Sequence, residues 1–303
     1  MIHISCGAAM SLAEGVAIGC DVASFTQQLS RRLGIEILRA ESARGRQDRR
    51  VSLLTLGIET SGFTGAIALR RNGELLEAVL IEQVGRRHAQ TLVSEVDILL
   101  RRHALTAKQL EAVAVSIGPG SFTGLRVGVV FAKTLAYAIG CRLVAVDTFR
   151  AIALASPVDV TEVFVVSDAQ RSDLFVGHYV RETTASDNEI SRWTRSAEIS
   201  IEPQEDWCVR FSKLAESQPQ IALSGIAAES LRTVLSSNVR ILAPEYCAPQ
   251  ASHITHLGEH QVEVGDLADH WTLEPFYLRR SAAEEKAAAV SQRCRETIIR
   301  GEL

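Results

Sequence analysis

From Val51 onward, apolar and polar residues fall into two rhythms, one with a period of two and one with a period near 3.6. Residues 53–59, 65–70 and 74–84 read as three strands, with Arg71-Asn72-Gly73 as the hairpin turn between the second and third. Over 88–103, Leu92, Val96, Leu99 and Leu100 recur at helical spacing, and Arg101 and Arg102 suit the negative end of that helix. Residues 111–117 form a β-rich run. Gly118, Pro119 and Gly120 then turn the chain, and Ser121 or Thr123 can cap a helix reaching Ile139. A strand over 142–146 and a helix over 148–155, stopped by Pro157, complete a β-β-β-α-β-α-β unit.

A shorter version of the same order follows. Strands are expected at 162–168, 174–181 and 190–199, with a polar link over 182–189, then a helix at 205–216, a strand at 220–224, a helix at 227–236 and a strand at 239–242. Two successive βββαβα units predict an α/β protein of two lobes with a cleft between them: residues 51–156 as the first lobe and 157–280 as the second. Residues 273–280 read as an extended segment. From Ser281 a helix-prone tail, 281–303, has almost no apolar stripe. The first 50 residues mix seven arginines with acids and small residues. They read as a linker-like extension or as a start placed upstream of the true domain.

The helix beginning at Ser121 carries Gly124, Gly128, Ala132, Ala136 and Gly140 at every fourth position. Glycine inside a helix costs about 1 kcal/mol relative to alanine, so this bare ridge predicts a close approach by something. An anion at the helix N-terminus is the other reading. However, Gly-x-Gly-x-x-x-Gly is one residue longer than the dinucleotide fingerprint, and no Gly-Lys-Ser/Thr makes it a P-loop. Pro119 and Thr123 stand where a nucleophile elbow around Ser121 would need glycines.

Composition narrows the classes. A net charge of −4 offers nucleic acid and anionic membrane no general attraction, and 5% aromatics argues against a base-stacking surface. Six scattered cysteines, none in a Cys-x-x-Cys pair, fit a reducing cytoplasm better than a zinc ribbon or disulfide framework. Arg126 and Lys133 interrupt the most apolar helix, so no membrane span is expected.

Three groups of residues could carry chemistry. The turn Ile58-Glu-Thr-Ser-Gly-Phe-Thr-Gly65 puts Glu59, Thr60 and Ser61 where actin-like ATPases and sugar kinases hold phosphates. The second such turn, Asp168-Ala-Gln-Arg-Ser-Asp173, lacks glycine, and Ser224-Gly225-Ile226 offers one where a pair is wanted. Phosphoryl transfer is therefore not expected, with at most a weak ATP or ADP contact. Asp168 and Asp173 are expected to cap and solubilise their turn. His253, His256 and His260 share one side of a helix, a spacing compatible with a metal, but no fourth ligand is evident, so no metal and an exposed polar helix are expected. His88 has Leu92 four residues on, and so has no helical histidine partner.

Taken in order, Leu56-Gly-Ile-Glu-Thr-Ser61, Arg87-His-Ala-Gln90, Gly118-Pro-Gly-Ser-Phe-Thr-Gly-Leu-Arg-Val-Gly128, Asp168-Ala-Gln-Arg and Pro275-Phe-Tyr-Leu-Arg279 resemble the TsaB (YeaZ) family over about residues 53–280. The resemblance implies an actin-like ATPase (RNase H-like) fold of two βββαβα lobes. It also implies a non-catalytic cytoplasmic subunit in the synthesis of threonylcarbamoyladenosine at position 37 of tRNAs reading ANN codons. Partners would be the catalytic paralogue TsaD, the ATPase TsaE and, in a homodimer, a second copy, with tRNA met only through the complex. An ATP-dependent small-molecule kinase of the same superfamily is the alternative. The family's partner surface, its first two helices, maps onto 88–103 and 121–139, through His88, Leu92, Val96, Leu99, Gly124, Gly128, Ala132 and Ala136. Glu59, Thr60, Ser61, Gly118, Gly120, Ser121 and Asp168 would be relics of phosphate turns. Glu59 and Ile117 replace an aspartate and an arginine frequent in the family, and the 50-residue leader is foreign to it.

Overall fold

The computed structural model describes residues 53–81, 88–182 and 192–279, so the leader and the tail from Ser281 lie outside the described residues. Two mixed sheets organise the chain. The first comprises β1 (Leu54–Glu59), β2 (Gly65–Arg71), β3 (Glu74–Ile81), β4 (Ala112–Gly118) and β5 (Arg142–Asp147), in the order β3-β2-β1-β4-β5. β1 pairs antiparallel with β2 and parallel with β4, and β4 runs parallel to β5. All six residues of β1 are buried, as expected of a central strand covered on both faces.

On one face lie α1 (His88–Arg102) and α2 (Phe122–Ile139), whose Leu92, Val96, Leu99, Val129, Phe131 and Leu135 join the largest core. α2 has the length and composition to cross a membrane, but it packs as a core helix here. Its last turn closes on Gly140 in the left-handed region, at φ 70°.

The second sheet is built from β6 (Glu162–Asp168), β7 (Asp173–Glu182), β8 (Arg192–Arg195), β10 (Ile221–Ser224) and β11 (Arg240–Ile241) in the order β11-β10-β6-β7-β8, with β9 (Ser200–Pro203) also on β7. α3 (Thr148–Leu154) leads from the first sheet to the second. α4 (Gln204–Ser217) covers the second sheet with Trp207 and Phe211, stacked at 4.7 Å.

Three expectations change. Residues 190–199 do not form one strand: β8 and β9 pair with opposite ends of β7, and Ser196 N–H bonds the His178 carbonyl between them. Residues 227–236 are tight turns around a single 3-10 turn, Glu229–Leu231, because Ala228 N–H is tied to the Gly225 carbonyl and Leu231 and Leu235 must both reach the core. The segment 273–279 joins no sheet and is held by individual bonds.

Finally, α5 (Ala251–Val264) is neither an exposed polar helix nor part of the second lobe. It lies on the first sheet, with Ile254, Thr255, Leu257 and Gly258 buried. A Cβ on Gly57 of β1 would stand 2.5 Å from Thr255, and one on Gly258 would stand 2.5 Å from the Cβ of Ala114 in β4. Two glycines, one on each element, thus set the distance between helix and sheet.

Candidate functional site

The turn after β1 is filled by its own chain. The amide and hydroxyl of Ser61 both donate to Glu59 Oε1 at 2.5 Å, and Glu59 Oε2 is buried without a partner among the described residues. Burial pushes the Glu59 carboxyl above its ordinary range, partly offset by these bonds. Ser121 N–H donates to the Ser61 carbonyl at 2.8 Å, and Ser121 Oγ caps α2 by accepting from Gly124 N–H at 3.3 Å. The loop Gly118–Ser121 and the turn Glu59–Ser61 are therefore bonded to each other. A Cβ on Gly120 would lie 2.6 Å from the Ser61 carbonyl oxygen. Gly118 adopts φ 116° and its amide donates to Thr148 Oγ1 at 3.0 Å.

The ridge on α2 has the same neighbour. A Cβ on Gly124 would fall 1.9 Å from the Thr60 carbonyl oxygen, and one on Gly128 would fall 2.2 Å from Thr60 Oγ1. Ala132 and Ala136 are fully buried in the core with Leu92, Val96 and Leu99. The expectation that these small and apolar residues meet a partner is corrected: they seat α2 on the β1 turn and on α1. His88 is the first residue of α1. The face that α1 and α2 leave outward carries other residues, namely exposed Ile98 and Thr123 and half-buried Val127, Val130 and Thr134.

Beside that face runs the segment after α5. Lys133 Nζ donates to the carbonyls of Trp271 and Leu273 at 3.2 and 2.8 Å. Tyr137 packs edge-on against Trp271 at 5.0 Å, and the guanidinium of Arg126, over the Phe122 ring, donates to Tyr277 Oη. The segment then crosses between the lobes. Phe276 N–H donates to the Ile117 carbonyl at 2.7 Å on the first sheet. Arg279 Nη1 donates to the carbonyls of Ala169 and Gln170 at 2.6 and 3.0 Å, and its Nη2 pairs with Asp173 on the second. Asp168 Oδ1 accepts from Gln170 N–H at 2.6 Å, which caps the β6–β7 turn. In that turn Gln170, Arg171 and Ser172 all hold φ near +60° without any glycine. Two motifs far apart in sequence, Asp168-Ala-Gln-Arg and Pro275-Phe-Tyr-Leu-Arg279, are thus joined directly.

The three histidines of α5 sit beside the Arg70–Glu259 ion pair, whose Nε–Oε2 distance is 2.9 Å. Burial first, then the Arg70 charge, lowers the affinity of His253 and His256 for a proton, to about 4 at His256. Among the described residues no group of three His, Cys, Asp or Glu side chains is placed to hold a metal.

Two polar clusters were not legible beforehand, because their members are far apart in sequence. Asp147 caps α3 with Oδ1 and accepts from Tyr179 Oη at 2.7 Å with Oδ2. On the opposite face of β7, His178 stacks on Phe164, meets Glu162 at 2.7 Å through Nε2 and meets Ser196 Oγ at 2.5 Å through Nδ1. This Ser–His–Glu string fastens the end of β8 to β6.

Two lobes of this topology, joined through α3 and with α5 returned to the first sheet, are the actin-like ATPase fold. The family model described as "TsaD: tRNA N6-adenosine threonylcarbamoyltransferase" matches residues 78–287, and the chain belongs to that family. Among curated relatives, the tRNA threonylcarbamoyladenosine biosynthesis protein TsaB of Bacillus subtilis is 26% identical, over 76% of this chain and 96% of its own length. The TsaB of Haemophilus influenzae is 25% identical, over 78% of this chain and 97% of its own length. YeaZ from Pseudomonas aeruginosa, a solved structure 21% identical, superposes with a TM-score of 0.61 over 75% of this chain and 100% of its own. The resemblance to TsaB (YeaZ) read from the motifs therefore holds along nearly the whole length of these relatives.

Proposed function

We propose that this chain is a non-catalytic partner subunit of a complex that forms N6-threonylcarbamoyladenosine at position 37 of tRNAs reading ANN codons, with a TsaD-type protein as the transferase. The observation that carries this reading is the occupation of both phosphate-type turns by the chain itself: Thr60 and Ser61 by α2 and its loop, and Ala169 to Asp173 by Arg279. Phosphoryl transfer needs room there for phosphates and a metal. The TsaB names of relatives spanning most of the chain support the pathway, and the outward face of α1 and α2, with Ile98, Val127 and Val130, is where the transferase docks. A TsaE-type ATPase joins that pair, a second copy of this chain competes for the same face, and tRNA is met through the complex in the cytoplasm. A net charge of −4 supports leaving the RNA to the partner.

Reconstitution tests this. Threonylcarbamoyladenosine formation on tRNA should require both this chain and the TsaD-type protein, and this chain alone should turn over no ATP. ATP turnover by the isolated chain, lost in Glu59→Gln, would instead favour a kinase of the same fold.

A further inference from the structure

A cavity of about 420 Å³ opens between the edge strands of the two sheets, β5 on one side and β8 on the other. Val146, Trp193, Ile199 and Phe276 give it apolar walls, and Asp147, Arg150 and Arg195 reach it as charged groups. The carboxyl of Asp147 is already engaged by the amides of Phe149 and Arg150, at 2.9 and 3.3 Å, and by Tyr179 Oη. Arg150 Nε is fixed on the Trp193 carbonyl at 2.8 Å. Arg195 is different. Its nearest carboxylate oxygens among the described residues, Asp147 Oδ2 at 3.9 Å and Glu198 Oε1 at 3.8 Å, both lie beyond hydrogen-bond distance. Trp193 itself is 1% exposed, with its ring under the Arg181 guanidinium at 4.7 Å and its indole Nε1 buried with no acceptor among the described residues.

A guanidinium without a close acceptor among the described residues, at the mouth of a partly apolar cavity within the usual size range for small-ligand sites, asks for an anion with an apolar body. Within the lining, Arg150 and Arg195 face the single carboxyl of Asp147, while Glu198, 86% exposed along its side chain, lies outside it; this matches a monoanion better than a phosphate dianion. We propose that this cavity binds a small carboxylate carrying a flat or branched apolar group, its carboxylate paired with Arg195 and its body against Trp193, Ile199 and Phe276. The site does not depend on the partner-subunit reading, because no residue in it belongs to the α1–α2 face.

Calorimetric titration of the full chain with benzoate, cyclohexanecarboxylate, benzamide and inorganic phosphate, each to about 10 mM, tests it. One equivalent of either carboxylate should bind saturably, with benzamide and phosphate at least tenfold weaker. Arg195→Gln should weaken benzoate at least tenfold and move the melting midpoint little, since both ion pairs of Arg195 are longer than a hydrogen bond and its own side chain is 36% exposed. Among the indole N–H resonances of Trp193, Trp207 and Trp271, benzoate should move that of Trp193 alone. The proposal is overturned if neither carboxylate saturates, if benzamide or phosphate binds as tightly, if the variant binds benzoate within twofold of the parent, or if the Trp193 resonance does not move.

Discussion

The carbonyl oxygen of Thr60 stands 1.9 Å from the point where a side chain on Gly124 would begin, so helix α2 rests directly on the backbone of the β1 turn. The bare ridge along α2 follows from that contact. Replacing Gly124 by alanine would gain about 1 kcal/mol of helix propensity, but the new methyl meets backbone that has no rotamer to yield. Overpacking costs of about 1 to 3 kcal/mol, at their upper end for a rigid neighbour, exceed that gain. Gly124→Ala should therefore lower the melting midpoint by several degrees, read by calorimetry; an unchanged or raised midpoint would mean the helix is free to shift outward.

Arg279 holds the β6–β7 turn by two carbonyls and a carboxylate, and is only 21% exposed along its side chain. Arg279→Ala should cost about 1 to 3 kcal/mol in chemical denaturation, because it leaves those acceptors unpaired and a left-handed turn unsupported. Arg279→Lys, a point charge without the planar fork, should recover less than half of the loss. Equal stability of all three proteins would show that the turn holds itself.

Glu59 is buried, and burial raises its affinity for a proton. A neutral amide is thus a fair replacement. Glu59→Gln should stay within about 1 kcal/mol of the parent, whereas Glu59→Ala, which strands the Ser61 amide and hydroxyl, should lose about 2 to 4 kcal/mol. Loss of comparable size in both would show that the charge itself is needed.

The proton affinity of His256 is depressed in the fold from 6.5 to about 4, by burial and by the facing charges of Arg70, His253 and His260, with Glu259 and Glu263 on the same helix. A histidine kept neutral binds fewer protons folded than unfolded, so its contribution is complete above pH 6.5 and is lost as pH falls toward 4. Glu59, Asp147 and Glu259, whose proton affinities are raised, act in the opposite sense at the acid end. Comparison with His256→Gln isolates the histidine: the parent should lose about 1 to 3 kcal/mol more than the variant between pH 7 and 4. Parallel stability curves would contradict this.

The strands of the first sheet and helices α1 and α2 were legible because their apolar spacing is regular over long runs. Leu92, Val96 and Leu99 lie one turn apart, and all six residues of β1 are buried. What a periodic pattern cannot say is which surface a face meets. Gly124 and Gly128 signal a close neighbour, but a partner helix and the chain's own Thr60 demand the same small residues. α5 was misread for a related reason: its polar stripe of His253, His256 and His260 hid Ile254, Thr255 and Leu257, the residues that seat it on the first sheet. The latch between Arg279 and the β6–β7 turn, like the bond between Tyr179 and Asp147, joins residues 106 and 32 positions apart, and neither leaves a mark in a local window.

The outward and inward faces of α2 should separate cleanly in binding to a TsaD-type transferase, measured by calorimetric titration alongside thermal melts of the same proteins. Val130→Asp, on the half-buried outer face, should weaken the complex at least tenfold with little change in the melting midpoint. Gly124→Ala, under Thr60, should lower the midpoint while its folded molecules bind with the parent's affinity. Unchanged binding by Val130→Asp, together with lost binding by folded Gly124→Ala, would place the partner on the ridge instead and contradict the assignment of these faces.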